Sequence, residues 1–186
     1  MTQVYLFLAD GFETIEALTV VDILRRAGVA IKTVSIKEER QVMSAQKVKV
    51  EADVLFTECD FKDATMLVLP GGIPGTPNLE AHEGLSQLLD QAYESGIKLE
   101  AICAAPSIYG KKGFLEGKEA TAYPGYEEEL KGANVKDTKV AVDGNMITAR
   151  GMGTTIEFAL TILRQLGFSK EAEQIAEGIQ FSQYYK

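Results

Sequence analysis

Short apolar runs of strand character alternate along this chain with amphipathic helical stretches, and that alternation limits the fold more than any other feature. Val4 to Ala9 reads as a buried strand closed by Asp10-Gly11. From Thr14 to Ala27 apolar residues return at helical spacing, and Gly28 supplies a C-cap. Further strands are expected at Ala30 to Ile36, Thr65 to Leu69 and Lys98 to Ile102, with residues 47 to 56 as a short hairpin or edge strand. Helices are expected from Leu79 to Glu94, from just past Cys103 to about Gly110, from Gly153 to Leu166 and over 169 to 179, with SQYYK trailing. Glu119 to Ala122 is a candidate strand, and Asp143-Gly144-Asn145 signals a hairpin between Lys139–Val142 and Met146–Ala149. Such repetition predicts a doubly wound α/β sandwich with a mostly parallel sheet, with residues 1–186 as one domain. Ligands of such sheets sit beyond the carboxyl ends of the strands, which singles out Asp10-Gly11, Pro70-Gly71-Gly72 and Cys103.

The formal net charge of -8, with no basic stripe, disfavours binding to phosphate backbones or anionic lipid, so neither nucleic acid nor a membrane is expected as a partner. No apolar run is long enough to cross a bilayer, and the N-terminus carries no basic n-region or cleavage site. Two cysteines, Cys59 and Cys103, form no disulfide framework, and the single histidine, His82, makes a metal site improbable. A reducing cytoplasm is the expected compartment.

LEAICAAPSIYG, residues 99 to 110, carries the chemistry. A strand feeds Cys103 directly, Ala-Ala removes bulk around the turn, and Pro106 suits the first turn of a helix. Cys103 is then expected to face the positive end of that helix, which lowers a thiol's pKa and resembles the setting of a nucleophile elbow. The plainer reading is a buried core cysteine. A thiolate needs a proton partner. His82, flanked by acids in NLEAHEGL, reads as a solvated helix residue. GFETIEALTV offers Glu13, a helix-start acid, and Glu16, one turn in among apolar residues, where burial and a neighbouring thiolate would raise its pKa. A solvated Glu16 is an equal rival. LVLPGGIPG places successive glycines after a strand, suited to backbone oxyanion donors or simply to a tight turn; the phosphate-loop patterns are absent. ARGMGTT adds another glycine loop, where Arg150 binds an anion or a partner subunit, or is a surface charge. Cys59 reads as a bystander near a sheet edge.

Taken together, GFETIEALTVVDILRRAG, LVLPGG, AICAAPS and TARGMGTTIEFAL resemble the ThiJ/PfpI superfamily, in the branch of the Parkinson's-disease protein deglycase and its bacterial relatives. The likeness covers nearly the whole length. It implies a flavodoxin-like sandwich, a homodimer, and a cofactor-free enzyme acting on small 2-oxoaldehydes such as methylglyoxal. By motif it implies Cys103 as nucleophile, Glu16 as acid/base, and Gly71, Gly72 and Ala104 as the source of backbone donors, with Glu13, Tyr123 and Arg150 at the rim. The branch is credited with glyoxalase and deglycase activity and with oxidative-stress sensing through cysteine sulfinate, so a redox-responsive or chaperone-like module with little turnover is the alternative. Protease-like members carry a histidine directly after the nucleophile, where this chain has Ala104; peptide hydrolysis thereby loses its base. Branch members often have a histidine in the segment that reads ATAYPGY here, where Tyr123 stands, so catalysis is left to Glu16.

Overall fold

A computed structural model describes residues 2–184; Met1 and the last two residues of SQYYK lie outside the described residues. Strand β1 (Gln3–Leu8) leads into helix α1 (Thr14–Arg26), followed by β2 (Ala30–Ser35), β3 (Gln41–Met43), β4 (Lys49–Glu51) and β5 (Val54–Leu55). Next come β6 (Met66–Leu69), α2 (Gly75–Ala81), α3 (Glu83–Glu94), β7 (Lys98–Ile102) and α4 (Pro106–Lys111). β8 (Glu119–Ala120), β9 (Asn134–Val135), β10 (Val140–Asp143) and β11 (Met146–Ala149) precede α5 (Thr155–Gln165), α6 (Ser169–Gly178) and α7 (Phe181–Tyr184).

The main sheet runs β10-β11-β7-β6-β1-β2-β5, and every pairing in it is parallel except the β10–β11 hairpin. This is the expected doubly wound, flavodoxin-like sandwich. Its central strands are apolar on both sides because helices cover both faces. Val4, Leu6 and Leu8 of β1 pack under α1, α5 and α6. Tyr5, Phe7 and Ala9 face α3 and α4, with Leu85, Leu89, Ile108 and Tyr109. Strand order reverses between β1 and β6, and the loops leaving the carboxyl ends of these two strands open the crevice in which such sheets hold ligands.

Several boundaries differ from the sequence reading. The helix expected over Leu79 to Glu94 is two helices, broken at His82, which has extended backbone and caps α3 by accepting from the Leu85 N–H at 2.9 Å. His82 is thus not a solvated helix residue: its ring packs on Phe56, centroids 4.7 Å apart, and burial pushes its pKa down. Segment 47–56 divides between β4, paired with β3 in a separate hairpin, and β5, at the edge of the main sheet. The Glu119 strand is only two residues long and pairs with β9 apart from the main sheet. The helix expected from Gly153 begins at Thr155, after a 3-10 turn over Met152–Thr154.

Candidate active site

Cys103 follows β7 and is held at φ 67, a left-handed conformation that side-chain-bearing residues seldom adopt. Such a conformation costs about 1–3 kcal/mol and survives only where the surroundings impose it. Here the Cys103 N–H donates to the Ala149 carbonyl at the end of β11 (2.9 Å), and the Cys103 carbonyl accepts from the Tyr123 N–H (2.8 Å). The part-buried thiol therefore projects at the carboxyl edge of the sheet.

Glu16 comes from the first turn of α1 and is 1% exposed. Glu13 is the N-cap of that helix, accepting from the Glu16 N–H at 2.7 Å. The Glu16 carboxyl accepts through Oε2 from the Gly71 N–H at 2.9 Å, while Oε1 is buried without a hydrogen-bond partner. Gly71 leaves no room for anything larger. A Cβ there would lie 2.6 Å from the Cys103 Cβ and 2.7 Å from Glu16 Oε2. Its neighbour Gly72 adopts φ 97, which glycine tolerates without cost.

Burial, opposed by contacts with Cys103 and the Gly71 N–H, raises the Glu16 pKa from 4.5 to about 7. The thiol as donor therefore works against the rise that a neighbouring thiolate was expected to add. Cys103 itself departs from the sequence expectation of a lowered pKa. Burial first, then the charge of Glu16 and a contact with it, push the thiol up to about 12, against backbone N–H groups of Ala104 and Gly72 that favour the thiolate. Helix α4 is only six residues long and does not outweigh a buried carboxylate beside the sulfur. The two groups titrate as a pair that cannot lose both protons near neutral pH.

One further expectation changes. The Gly71 N–H is committed to Glu16 and is not a free oxyanion donor, which leaves Gly72 and Ala104 facing the sulfur. Arg150 pairs with Asp137 at 2.8 Å. Tyr123 is 51% exposed with its ring against Gly151, a residue the sequence reading did not single out within ARGMGTT. Its signal was present: a glycine two residues past the end of β11, on the edge where ligands bind. Cys59 lies near the β5 edge, and burial raises its pKa. Among the described residues no group of acidic, histidine or cysteine side chains could hold a metal ion, and no helix is long and apolar enough to cross a membrane.

The DJ-1/PfpI family model matches residues 2–165. The chain belongs to the DJ-1/PfpI family. Among family relatives, Protein dj-1beta of Drosophila melanogaster is 33% identical over 174 residues, covering 92% of this chain and 93% of its own length. Protein DJ-1 homolog B of Arabidopsis thaliana is 36% identical over 176 residues, covering 94% of this chain. This chain spans less than half of the Arabidopsis homologues, 40% of homolog B and 44% of homolog A. Among solved structures, a cysteine-to-alanine mutant of a DJ-1 superfamily protein from Salmonella typhimurium superposes with a TM-score of 0.92 at 31% identity, covering 97% of this chain and 99% of that one. Oxidized DJ-1 of Toxoplasma gondii gives 0.93 at 28% identity, with the same coverage.

Proposed function

We propose that this DJ-1/PfpI protein is a cofactor-free glyoxalase acting on small 2-oxoaldehydes, with Cys103 as nucleophile and Glu16 as acid and base. The observation that carries this reading is the buried Glu16 carboxyl beside a cysteine held at positive φ. Strained backbone of this kind clusters at active sites.

The pair holds one proton once Glu16 has titrated. Transfer of the thiol proton to Glu16 removes the charge that opposes thiolate formation, and the N–H groups of Ala104 and Gly72 then stabilise the sulfur. The thiolate adds to the aldehyde carbon of methylglyoxal, forming a C–S bond and an alkoxide that takes up a proton as a hemithioacetal. Glu16 carries the C1 proton to C2, converting the hemithioacetal to a thioester of lactate. Water cleaves the thioester, releasing lactate and regenerating the thiol. The sum is methylglyoxal plus water to lactate, with no oxidant or reductant.

Lactate production from methylglyoxal by metal-free reduced protein tests this reading. Turnover on the order of 1 s⁻¹, lost in Cys103→Ser, supports it. Equal rates in the two proteins overturn it.

A redox-responsive role is the second reading, favoured by the unpartnered Glu16 Oε1 and by the oxidized state of the Toxoplasma relative. Hydrogen peroxide would oxidise the Cys103 thiolate to sulfenate and a second equivalent to sulfinate, each step releasing water. Protonated Glu16 then donates to a sulfinate oxygen. Peroxide-treated protein should gain two oxygens at Cys103, and a bridging hydrogen bond should slow further oxidation relative to Glu16→Ala. A homodimer is also proposed. Its contact surface is the apolar groove of Ile15, Leu18, Ile23, Ile156 and Ile179, where Ile15 is half exposed.

A further inference from the structure

We propose that Glu13 is a positioning residue, which fixes the Glu16 carboxyl against Cys103 by closing a ring of three hydrogen bonds. This rests on Glu16 being the group that takes the Cys103 proton. Glu13 is the N-cap of α1 and Glu16 the third residue after it, which is the spacing of a capping box. In such a box the cap side chain accepts from the backbone N–H of the third residue, whose own carboxyl reaches back to the N–H of the cap. Only the first half is made here: the Glu16 N–H donates to Glu13 Oε2 at 2.7 Å. Gly71 is inserted into the second half. Its carbonyl accepts the Glu13 N–H at 2.9 Å, and its N–H donates to Glu16 Oε2 at 2.9 Å.

The insertion decides where the carboxyl goes. A Glu16 that closed its own box would bond the Glu13 N–H in place of the Gly71 N–H. With Gly71 between the two, Oε2 is carried to the spot where a Gly71 Cβ would touch both it and the Cys103 Cβ. The first turn of α1 is pressed against this strand end. A Cβ on the neighbouring Gly72 would run into the Glu13 backbone nitrogen. Capping alone does not call for a glutamate at position 13, since serine, threonine, aspartate and asparagine are the strong N-caps. Here the cap carboxylate also acts on its neighbour by charge, adding to the rise that burial gives Glu16. Cys103 and Glu13 are the ionisable groups that bear on that carboxyl.

Alkylation by iodoacetamide tests the ring without requiring turnover. The thiol proton passes to Glu16, the sulfur forms a C–S bond and iodide leaves; peptide mass separates Cys103 from Cys59. The rate is followed as a function of pH, with thermal unfolding alongside. In folded Glu13→Ala the ring is open, and the Cys103 rate above the midpoint should fall on the order of tenfold, as expected for a displaced proton acceptor. Glu13→Gln keeps an acceptor for the Glu16 N–H and should recover most of that rate. Without the Glu13 charge, its midpoint should lie below the wild-type value of about 7. A folded Glu13→Ala protein with the wild-type rate overturns the proposal, because a plain helix cap costs stability alone. So does a Glu13→Gln protein as slow as Glu13→Ala, or one whose midpoint is not lowered. That last result decides the matter by itself if Glu13→Ala does not fold. Failure of the glyoxalase reading shows separately, as absent lactate from a wild type whose alkylation still follows this pattern.

Discussion

Glu16 Oε2 and the Cys103 Cβ lie 2.7 and 2.6 Å from the single point where a side chain on Gly71 would begin. The carboxyl and the thiol are neighbours because that residue has no Cβ, and its N–H holds the carboxyl in place. Gly71→Ala should therefore separate the pair. Overpacking of this kind costs about 1–3 kcal/mol, visible as a lower Tm, and lactate production should fall far more steeply than stability. Wild-type turnover in a folded Gly71→Ala protein would remove the pair from the chemistry.

Ionisation of the pair sets the pH dependence. Glu16 is raised from 4.5 to about 7, so the reactive singly protonated pair accumulates as pH rises through about 7. A profile of kcat/KM should climb across that range and level off. Glu16→Gln keeps an acceptor for the Gly71 N–H but cannot take the thiol proton, and turnover should drop by roughly 10²- to 10⁴-fold. The same shift has a stability consequence. A folded pKa above the unfolded one contributes stability in full below about pH 4.5 and loses it as pH rises through about 7, by about 3 kcal/mol. Identical profiles for wild type and Glu16→Gln would contradict this assignment.

Glu100 carries a larger liability. It is fully buried on β7, neither carboxyl oxygen has a hydrogen-bond partner, and burial raises its pKa well above 4.5. Strand alternation puts it on the face of Ile102, beneath α1 and α5. It too withdraws stability as pH rises above 4.5 toward its folded value. Glu100→Leu should raise stability by about 1–3 kcal/mol, measured by urea unfolding at pH 8, with a smaller gain at pH 5. A destabilised variant would show that the carboxyl finds a partner.

His82 offers a contrasting case. His82→Ala removes the α3 cap and its packing on Phe56, and should cost about 1 kcal/mol in thermal unfolding. Lactate production per folded molecule should be untouched, and a proportional loss of turnover would bring the histidine back into the mechanism.

The doubly wound order was legible because each parallel strand is a short apolar run and each helix repeats with its own period. The break at His82 was not, since Leu85, Leu89 and Ala92 repeat at helical spacing and NLEAHEGL carries no proline to mark a stop before them. A hairpin was expected within 47–56, but its first arm, β3, escaped because QVM offers too little pattern to read. Motif comparison brought Cys103 and Glu16 together before any geometry did, but not the direction of the thiol's shift. That depends on burial and on a carboxylate from another element, neither of which is local to AICAAPS. Gly71 was misassigned because an N–H at a strand end looks the same in sequence whether it awaits a ligand or already holds a side chain.

Tyr123 grips the nucleophile only through its amide, a group that every amino acid except proline possesses. The hold on Cys103 and the half-exposed ring are thus separate parts of one residue. The amide fixes where the Cys103 carbonyl stands, and the side chain at 123 can be exchanged without touching that bond.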